Sequence, residues 1–425
     1  MELLRKAENL TEAYQVLVPD QPLQGEWLER FYAERPEHAS IANLVDQLRS
    51  LDPRDDDKTL FTGHRGSGKT TELARLEQAL KPTHTVVRLD AGRLLDIGDV
   101  DYADLLVMLG LQVFQEAKHR GMKLNEQRSN DLLFWYATRV FEEDERRRLE
   151  SEVGGELDAV IAKFSLKLTT DAPRRQTVRR EAKSYLSDLL ERLNALLDDL
   201  QGKTGRRTLV LVDDLDKMLD LTQVRDLFHD GASALMAPHC RVVYTVPLAI
   251  YNTNDLHQVR MSFARNFVLP NIKTVERDGS LCREGREALL KVLACRLMPG
   301  LLAPEAAERL VDLSGGLLKE LISLARDAVL RARRLRGEQG PVQLDDVEYA
   351  AGQLRNTYRA SLTEEQYHEL WRIYQGGPFT NSQVARDLLH NLSLLEYDGG
   401  KAWWGIHPVV RPLLEERADG FRQAG

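Results

Sequence analysis

The sequence predicts an α/β chain: a parallel sheet covered by helices, interrupted by a long helical insertion and followed by two smaller, mainly helical regions. Three observations predict it. Short apolar or β-rich runs at 59–62, 85–90, 208–212, 241–246 and 267–269 alternate with segments of helical spacing, and several are apolar on both faces, as the strands of a covered parallel sheet are. A glycine-rich loop separates the first run from a helix at 70–80. After about residue 280 the strand signal stops, and helical periodicity takes over.

At 425 residues the chain is too long for one ordinary core and fits two or three domains. Its 43% hydrophobic and 29% charged residues suit a soluble globular protein and argue against extended disorder. No uncharged apolar run reaches about 18 residues, so no membrane span is expected. The opening Met1-Glu2-Leu3-Leu4-Arg5-Lys6 lacks the apolar core of a secretory signal. Cys240, Cys282 and Cys295 are far apart and form no metal-ligand spacing, which reads as reduced thiols in a cytoplasmic protein. The formal charge of −8 excludes a protein built mainly to coat nucleic acid; any such contact needs a local basic patch.

In chain order, residues 1–57 read as polar helices ending in the turn-rich Asp52-Pro53-Arg54-Asp55-Asp56-Asp57. The first two strands flank the helix at 70–80. Residues 101–121 carry Leu105, Leu106, Met108, Leu109, Leu111, Val113 and Phe114, an almost all-round apolar helix that belongs inside. Residues 122–206 form a charged helical insertion, with a solvated face at 142–148, a break at Gly154-Gly155 and renewed helical spacing at 177–200. The expected organisation is an N-terminal helical segment at 1–40, a sheet domain at 41–275, a helical lid at 276–360 and a last domain at 361–425.

Gly63-His64-Arg65-Gly66-Ser67-Gly68-Lys69-Thr70 fits the phosphate-loop pattern GxxxxGK[ST] in full, in the strand–loop–helix context that the pattern requires. Glycines at 63, 66 and 68 let the backbone curl until successive N–H groups face one anion-sized hollow, and the following helix adds its positive end. Lys69 is placed for the β- and γ-phosphates of ATP, and the Thr70 hydroxyl for Mg²⁺. The whole loop, with Thr71, is the expected nucleotide-binding segment.

Such a loop needs an acid at the tip of a neighbouring buried strand. Leu209-Val210-Leu211-Val212-Asp213-Asp214 supplies two, at the strand edge where open α/β sheets bind ligands. Asp213 is expected to hold Mg²⁺ and Asp214 to orient the attacking water, with Asp216 as a helper. Typical hydrolytic members carry Glu at the second place; the shorter Asp implies slow turnover. Thr245 ends the next strand, where its hydroxyl either meets the γ-phosphate or the water, or is an ordinary strand threonine.

These residues resemble AAA+-type ATPases. The loop, the Leu209–Lys217 segment, Val242-Val243-Tyr244-Thr245-Val246-Pro247 and Ser314-Gly315-Gly316-Leu317-Leu318-Lys319-Glu320-Leu321 look like successive landmarks of that group, nearest to STAND signalling NTPases and archaeal replication-initiator AAA+ proteins. The resemblance covers about residues 40–415. It implies a P-loop sheet of the AAA+/ASCE type, Asp213 and Asp214 as Walker B, Thr245 as sensor 1 and a helical lid. Sensor 2 is commonly an arginine; Lys319 stands there and cannot form the bidentate fork. The arginine finger matches Arg265, with Arg260 second, and the alternative for Arg265 is an ion pair within its own subunit.

The two nucleotide motifs lie about 140 residues apart, and so long an excess inside a compact domain is usually functional. Within 163–183, Lys163, Lys167, Arg174, Arg175, Arg179, Arg180 and Lys183 face only Asp171 and Glu181. This is a nucleic-acid patch, a dock for an acidic partner, or a helix face paired to the acids of 142–158, the last being favoured. The run Arg331-Ala332-Arg333-Arg334-Leu335-Arg336 reads as a solvated helix end. Residues 363–416 look like a winged helix, with helices at 364–374 and 381–389, a hairpin of 394–397 with 403–406 around Asp398-Gly399-Gly400-Lys401, and a last helix after His407-Pro408. Arg372, Arg386, Lys401 and Arg411 are outnumbered there by Glu364, Glu365, Glu369, Asp387, Glu396, Asp398, Glu415 and Glu416. Phosphate contacts need the opposite balance, so a protein-contact winged helix is favoured, with one of Trp403 and Trp404 in the core and the other half-exposed.

The expected function is an ATP- and Mg²⁺-dependent, slowly hydrolysing oligomeric switch that regulates a separate effector protein, of a kind that the resemblance associates with antiviral defence. The alternative is a DNA-binding loader, initiator or transposition-type regulator using 163–183 or the winged helix.

Overall fold

Five of the apolar runs form one sheet. The structure, a computed structural model, describes residues 4–52, 55–140, 170–248, 259, 262–263, 265–338, 340–380, 382–397 and 402–418. The chain divides into two compact units, each drawn from separate stretches. Leu44–Thr62 with Leu76–Phe267 is the sheet unit; Met1–Asn43, Gly63–Arg75 and Val268–Gly425 make the loop unit.

In the sheet unit β1 (Lys58–Thr62), β2 (His84–Asp90), β3 (Arg207–Asp213), β4 (Arg241–Thr245) and β5 (Arg265–Val268) lie in the order β2-β3-β4-β1-β5. The pairs β1–β4, β3–β4 and β2–β3 are parallel. This is the expected parallel sheet, in which the β1-to-β2 connection passes β4 and β3, and the β4-to-β5 connection passes β1. Apolar runs bury both strand faces: every residue of β3 from Thr208 to Asp213 is inside. Each strand opens on a basic residue, and Lys58 and Arg241 turn inward to cap backbone. Lys58 Nζ donates to the carbonyls of Asp56, Pro238 and Cys240; Arg241 donates to those of Leu48 and Asp52. The acid-rich turn before β1 is thereby tied down, and Arg207 pairs with Asp56.

The all-round apolar helix is Tyr102–His119, opened by an Asp101/Asp104 capping box. Its Leu105, Leu106 and Leu109 share a core with Leu89, Val210 and Val242 of the strands. Of the insertion, the helices Glu126–Val140, Ala172–Ser184 and Leu186–Thr204 are described; 142–158, Lys163 and Lys167 lie outside the described residues. The last helix buries Leu189, Leu193, Leu196, Leu197 and Leu200, a three-to-four-residue stripe, and ends on Gly205 in the left-handed region.

In the basic segment Arg175, Arg179 and Lys183 pair with acids from 96–104; the acids of 142–158 lie outside the described residues. Arg175 meets Asp96 at 3.2 Å and Asp99 at 2.9 Å, Arg179 meets Asp99 at 2.8 Å and Asp104 at 2.6 Å, and Lys183 meets Asp101 at 2.6 Å. Asp104 is buried, so a guanidinium is needed to neutralise it.

In the loop unit, the N-terminal helices Leu10–Val16 and Glu26–Phe31 share a core with Arg283–Ala294, Pro304–Ser314, Leu318–Arg336 and Leu344–Ser361. The 331–336 run is not simply solvated: Arg331 lies over the Tyr349 ring, Arg333 over Tyr14, and Arg336 pairs with Asp346. The C-terminal elements are Glu364–Tyr374, Gln383–His390, an antiparallel hairpin of β6 (Leu394–Tyr397) and β7 (Trp403–Ile406), and Arg411–Glu416. Asn381 and the hairpin turn 398–401 lie outside the described residues. Neither tryptophan is fully buried: Trp403 stacks on Tyr397 at 4.4 Å and Trp404 on Phe379 at 4.3 Å, each finding an aromatic partner on its own face.

Among the described residues no helix is long and apolar enough to cross a membrane.

Candidate active site

The loop unit carries the glycine-rich loop, which begins directly after β1 and ends in the helix Lys69–Leu80. Gly66 and Gly68 have φ of 82° and 97°, a left-handed conformation that side chains resist. Space demands glycine as well. A Cβ on Gly66 would stand 2.8 Å from Lys319 Cβ, and one on Gly68 2.9 Å from Leu318 Cδ1. The start of helix Leu318–Arg336 thus presses on the loop, and the Lys319 N–H donates to the Gly66 carbonyl at 3.0 Å.

Lys69 is buried, and its ammonium donates to the carbonyls of Gly63 and His64, both at 2.8 Å. A lysine folded onto its own loop is a donor ready to exchange two neutral acceptors for phosphate oxygens. Ser67 Oγ and His64 Nδ1 are buried without a hydrogen-bond partner. The His64 ring accepts the Glu396 N–H at Nε2, 2.6 Å away. Burial first, and the charge of Lys69 second, push its pKa down to about 3, so the ring is neutral. Arg65 is exposed and Thr70 half-buried. Thr71 Oγ1 accepts the Leu23 N–H at 3.1 Å. Lys319, expected to read the γ-phosphate, is ion-paired with Asp20.

The sheet unit carries the acids. Asp213 ends β3 and is buried; its Oδ1 accepts the Asp214 N–H at 2.8 Å, and Arg88 lies 3.5 Å from its Oδ2. Burial first, then Asp216 and Asp214, push its pKa up to about 6. Asp214 sits at φ 72°, a conformation Asp tolerates better than most residues. Its carboxylate meets Lys217 at 2.5 Å, and burial, with Asp90 nearby, raises its pKa. A Cβ on Gly92 would lie 2.3 Å from Asp214 Oδ2, so only glycine fits beneath it. Thr245 is buried at the end of β4, and its Oγ1 accepts the Leu215 N–H at 3.1 Å, which fixes the turn carrying the acids.

Asp213, Asp214 and Asp216 bring carboxylate oxygens within 4.8 Å of one another, a hard-oxygen set that suits Mg²⁺. Within the loop unit, the orphaned Ser67 hydroxyl and the side-chain-free curl at Gly66 and Gly68 fit the oxygens of a phosphate group; within the sheet unit, the three carboxylates fit a divalent cation.

The structure therefore gathers Gly63–Thr71 and Lys319 in one unit, and Asp213, Asp214, Asp216 and Thr245 in the other. Arg265 pairs within the same chain, its Nε 2.9 Å from Asp57 Oδ2; Arg260 lies outside the described residues. Four participants escaped the sequence reading. Arg88 had a signal, a cation inside an apolar strand, and Lys217 had its i+3 spacing from Asp214. Gly92 had none, and neither had Arg35, whose guanidinium donates to the Ser67 carbonyl at 2.7 Å.

No family model matches the chain, and no curated protein does. Solved structures similar to it include Cdc6p from Pyrobaculum aerophilum, at 13% identity and a TM-score of 0.41 over 95% of this chain and 98% of that one. ORC1 from Aeropyrum pernix, in complex with DNA, gives 14% and 0.45 over 96% and 98%. The Walker-type ATPase paby2304 of Pyrococcus abyssi gives 15% and 0.43 over 94% and 99%.

Proposed function

We propose that the chain is an ATPase of the AAA+/STAND kind that binds ATP with Mg²⁺, hydrolyses it slowly and acts as a nucleotide-controlled oligomeric switch on a separate effector protein. One observation carries the reading: a glycine-curled loop onto whose own carbonyls, those of Gly63 and His64, the buried Lys69 donates. Lys69 turns from those carbonyls to the β- and γ-phosphates, and the amides of Gly66–Thr70 cradle them. Thr70 and Asp213 are the residues that would hold Mg²⁺, which neutralises charge on the phosphates when bound. Asp214 leaves Lys217 to orient water, and Thr245 holds the turn that aims it. A carboxylate tied to a lysine and one methylene shorter than Glu fits slow turnover.

Arg265 acts as a finger toward a second copy only after giving up Asp57, so in this reading full activity follows assembly. The C-terminal helix–hairpin–helix region serves as a protein-contact winged helix. Its acidic excess, and the internal pairing of Arg175, Arg179 and Lys183, favour the switch over the DNA loader, whose phosphate contacts require free cations.

Size-exclusion chromatography with ADP, ATP and a slowly hydrolysed analogue tests the switch. Lys69→Ala is expected to elute as the apo species throughout, and Asp214→Ala to retain ATP and accumulate the larger species. One elution volume for every protein and nucleotide overturns it.

A further inference from the structure

Arg35 lies in the loop unit between the helix Glu26–Phe31 and the phosphate loop, far upstream of the loop in sequence. It is buried, and each of its nitrogens finds a backbone carbonyl. Nε donates to Ala39 at 2.6 Å, one terminal nitrogen to Ser67 at 2.7 Å and the other to Pro270 at 2.8 Å. One planar fork thus ties together three segments, and the middle one is the phosphate loop itself. Its guanidinium also lies against Gly68: a Cβ there would be 3.7 Å from the nitrogen that holds Ser67.

Two consequences follow from elementary geometry and charge. A trans peptide carries its C=O and the next N–H on opposite sides of one plane. Pinning the Ser67 carbonyl toward Arg35 therefore aims the Gly68 N–H away from Arg35. The adjacent Gly66 carbonyl is held by the Lys319 N–H. The outer acceptors of the loop are thus fixed by two protein donors, which leaves the inner face to the amides. The second consequence concerns compensation. The acceptors of Arg35 are neutral backbone carbonyls, and the acidic neighbour that acts on it electrostatically is Glu72, itself buried and with its pKa raised by that burial. A buried guanidinium without a bonded carboxylate is costly unless an anion comes close.

We propose that Arg35 is a positioning residue for phosphate binding: it sets the peptide plane between Ser67 and Gly68 and places an under-compensated positive charge behind the loop that a nucleotide's phosphates neutralise. The proposal rests on the reading of Gly63–Thr70 as a nucleotide site. It makes affinity depend on a residue outside the sequence motif, and it requires an effect on ADP as well as ATP, because the loop holds the β-phosphate in both.

The test compares wild type, Arg35→Gln, Arg35→Lys and Lys69→Ala by binding of fluorescent ADP and ATP, steady-state kinetics, melting temperature and amide hydrogen exchange over 64–71. Arg35→Gln is expected to weaken both nucleotides by about tenfold or more, the loss of charge-assisted hydrogen bonds. KM should rise more than kcat falls, and exchange at 66–68 should quicken at temperatures where the variant is fully folded. Arg35→Lys keeps the charge but cannot span three carbonyls, and should fall between Gln and wild type. If Arg35→Gln melts lower yet its folded form binds ADP with wild-type affinity, Arg35 is only structural and the proposal fails. If Arg35→Gln does not fold, Arg35→Lys decides: wild-type affinity from it overturns the proposal. Wild type that binds no nucleotide, or Lys69→Ala that binds as wild type does, refutes the nucleotide reading itself and is distinct from either result.

Discussion

The backbone N–H of Glu396, in the C-terminal hairpin, donates to Nε2 of His64, in the phosphate loop, across 2.6 Å. The contact works only while that nitrogen is unprotonated. His64 is fully enclosed and its pKa is pushed down to about 3, chiefly by burial. A second buried histidine, His407, whose Nδ1 accepts the Val409 N–H at 3.2 Å, is pushed down to about 3 for the same reason.

Acid should therefore destabilise the protein through these two rings. A histidine whose folded pKa lies below the unfolded value contributes stability that is full above about 6.5 and drains away as pH falls toward the folded pKa. Each ring adds a slope of about 1.4 kcal/mol per pH unit over that window. Denaturant unfolding of His407→Gln should show a shallower fall between pH 6 and 4 than wild type. Parallel curves would show that His407 is not buried neutral.

Gly92→Ala should abolish hydrolysis while leaving nucleotide binding in place. The new methyl would have to stand 2.3 Å from Asp214 Oδ2, which displaces the carboxylate proposed to orient water, while Gly63–Thr71, proposed to hold the phosphates, belongs to the other unit. Turnover and ADP affinity measured side by side check this; unimpaired turnover would show that Asp214 does not act where it stands.

Removing Arg179 should destabilise the protein rather than affect DNA binding. Arg179→Ala leaves Asp104, 1% exposed, without its ion partner, and losing one member of a buried pair costs about 3–5 kcal/mol. The measurements are urea unfolding and duplex binding at low salt. Tight, salt-sensitive binding by wild type that Arg179→Ala abolishes would favour the loader instead.

Asp57→Ala should release Arg265 and raise ATP turnover per subunit as protein concentration increases, while Arg265→Ala should lower turnover by about ten- to a hundredfold, on the scale of one lost charge contact of about 1.5–3 kcal/mol, with ADP affinity unchanged. A concentration series settles it: turnover per subunit that is independent of concentration in both variants would leave the Asp57 pair as a purely structural contact.

Much of this was legible in the sequence because it depends on short-range pattern. The run Thr208–Asp213 could only be an inner strand, and the full loop pattern had only one context that suited it. The hairpin of 394–397 with 403–406 follows from alternation around a glycine pair. Contacts between distant stretches were not legible. Nothing in the composition of 163–183 says that Arg175, Arg179 and Lys183 meet Asp96, Asp99, Asp101 and Asp104, since charge patterning fixes a face but not the partner across space. Arg35 was invisible for the same reason: three carbonyls leave no trace in side-chain identity. Glycines were read for their φ, whereas Gly92 is required by the neighbouring carboxylate.

The central claim is that Gly63–Thr70 binds a nucleotide's phosphates. Titration calorimetry of wild type and Lys69→Ala with Mg²⁺-ATP and Mg²⁺-ADP tests it most directly. Saturable heat near one nucleotide per chain is expected for wild type and none for Lys69→Ala folded to the same extent. Equal heats for the two proteins, or no heat for either, would contradict it.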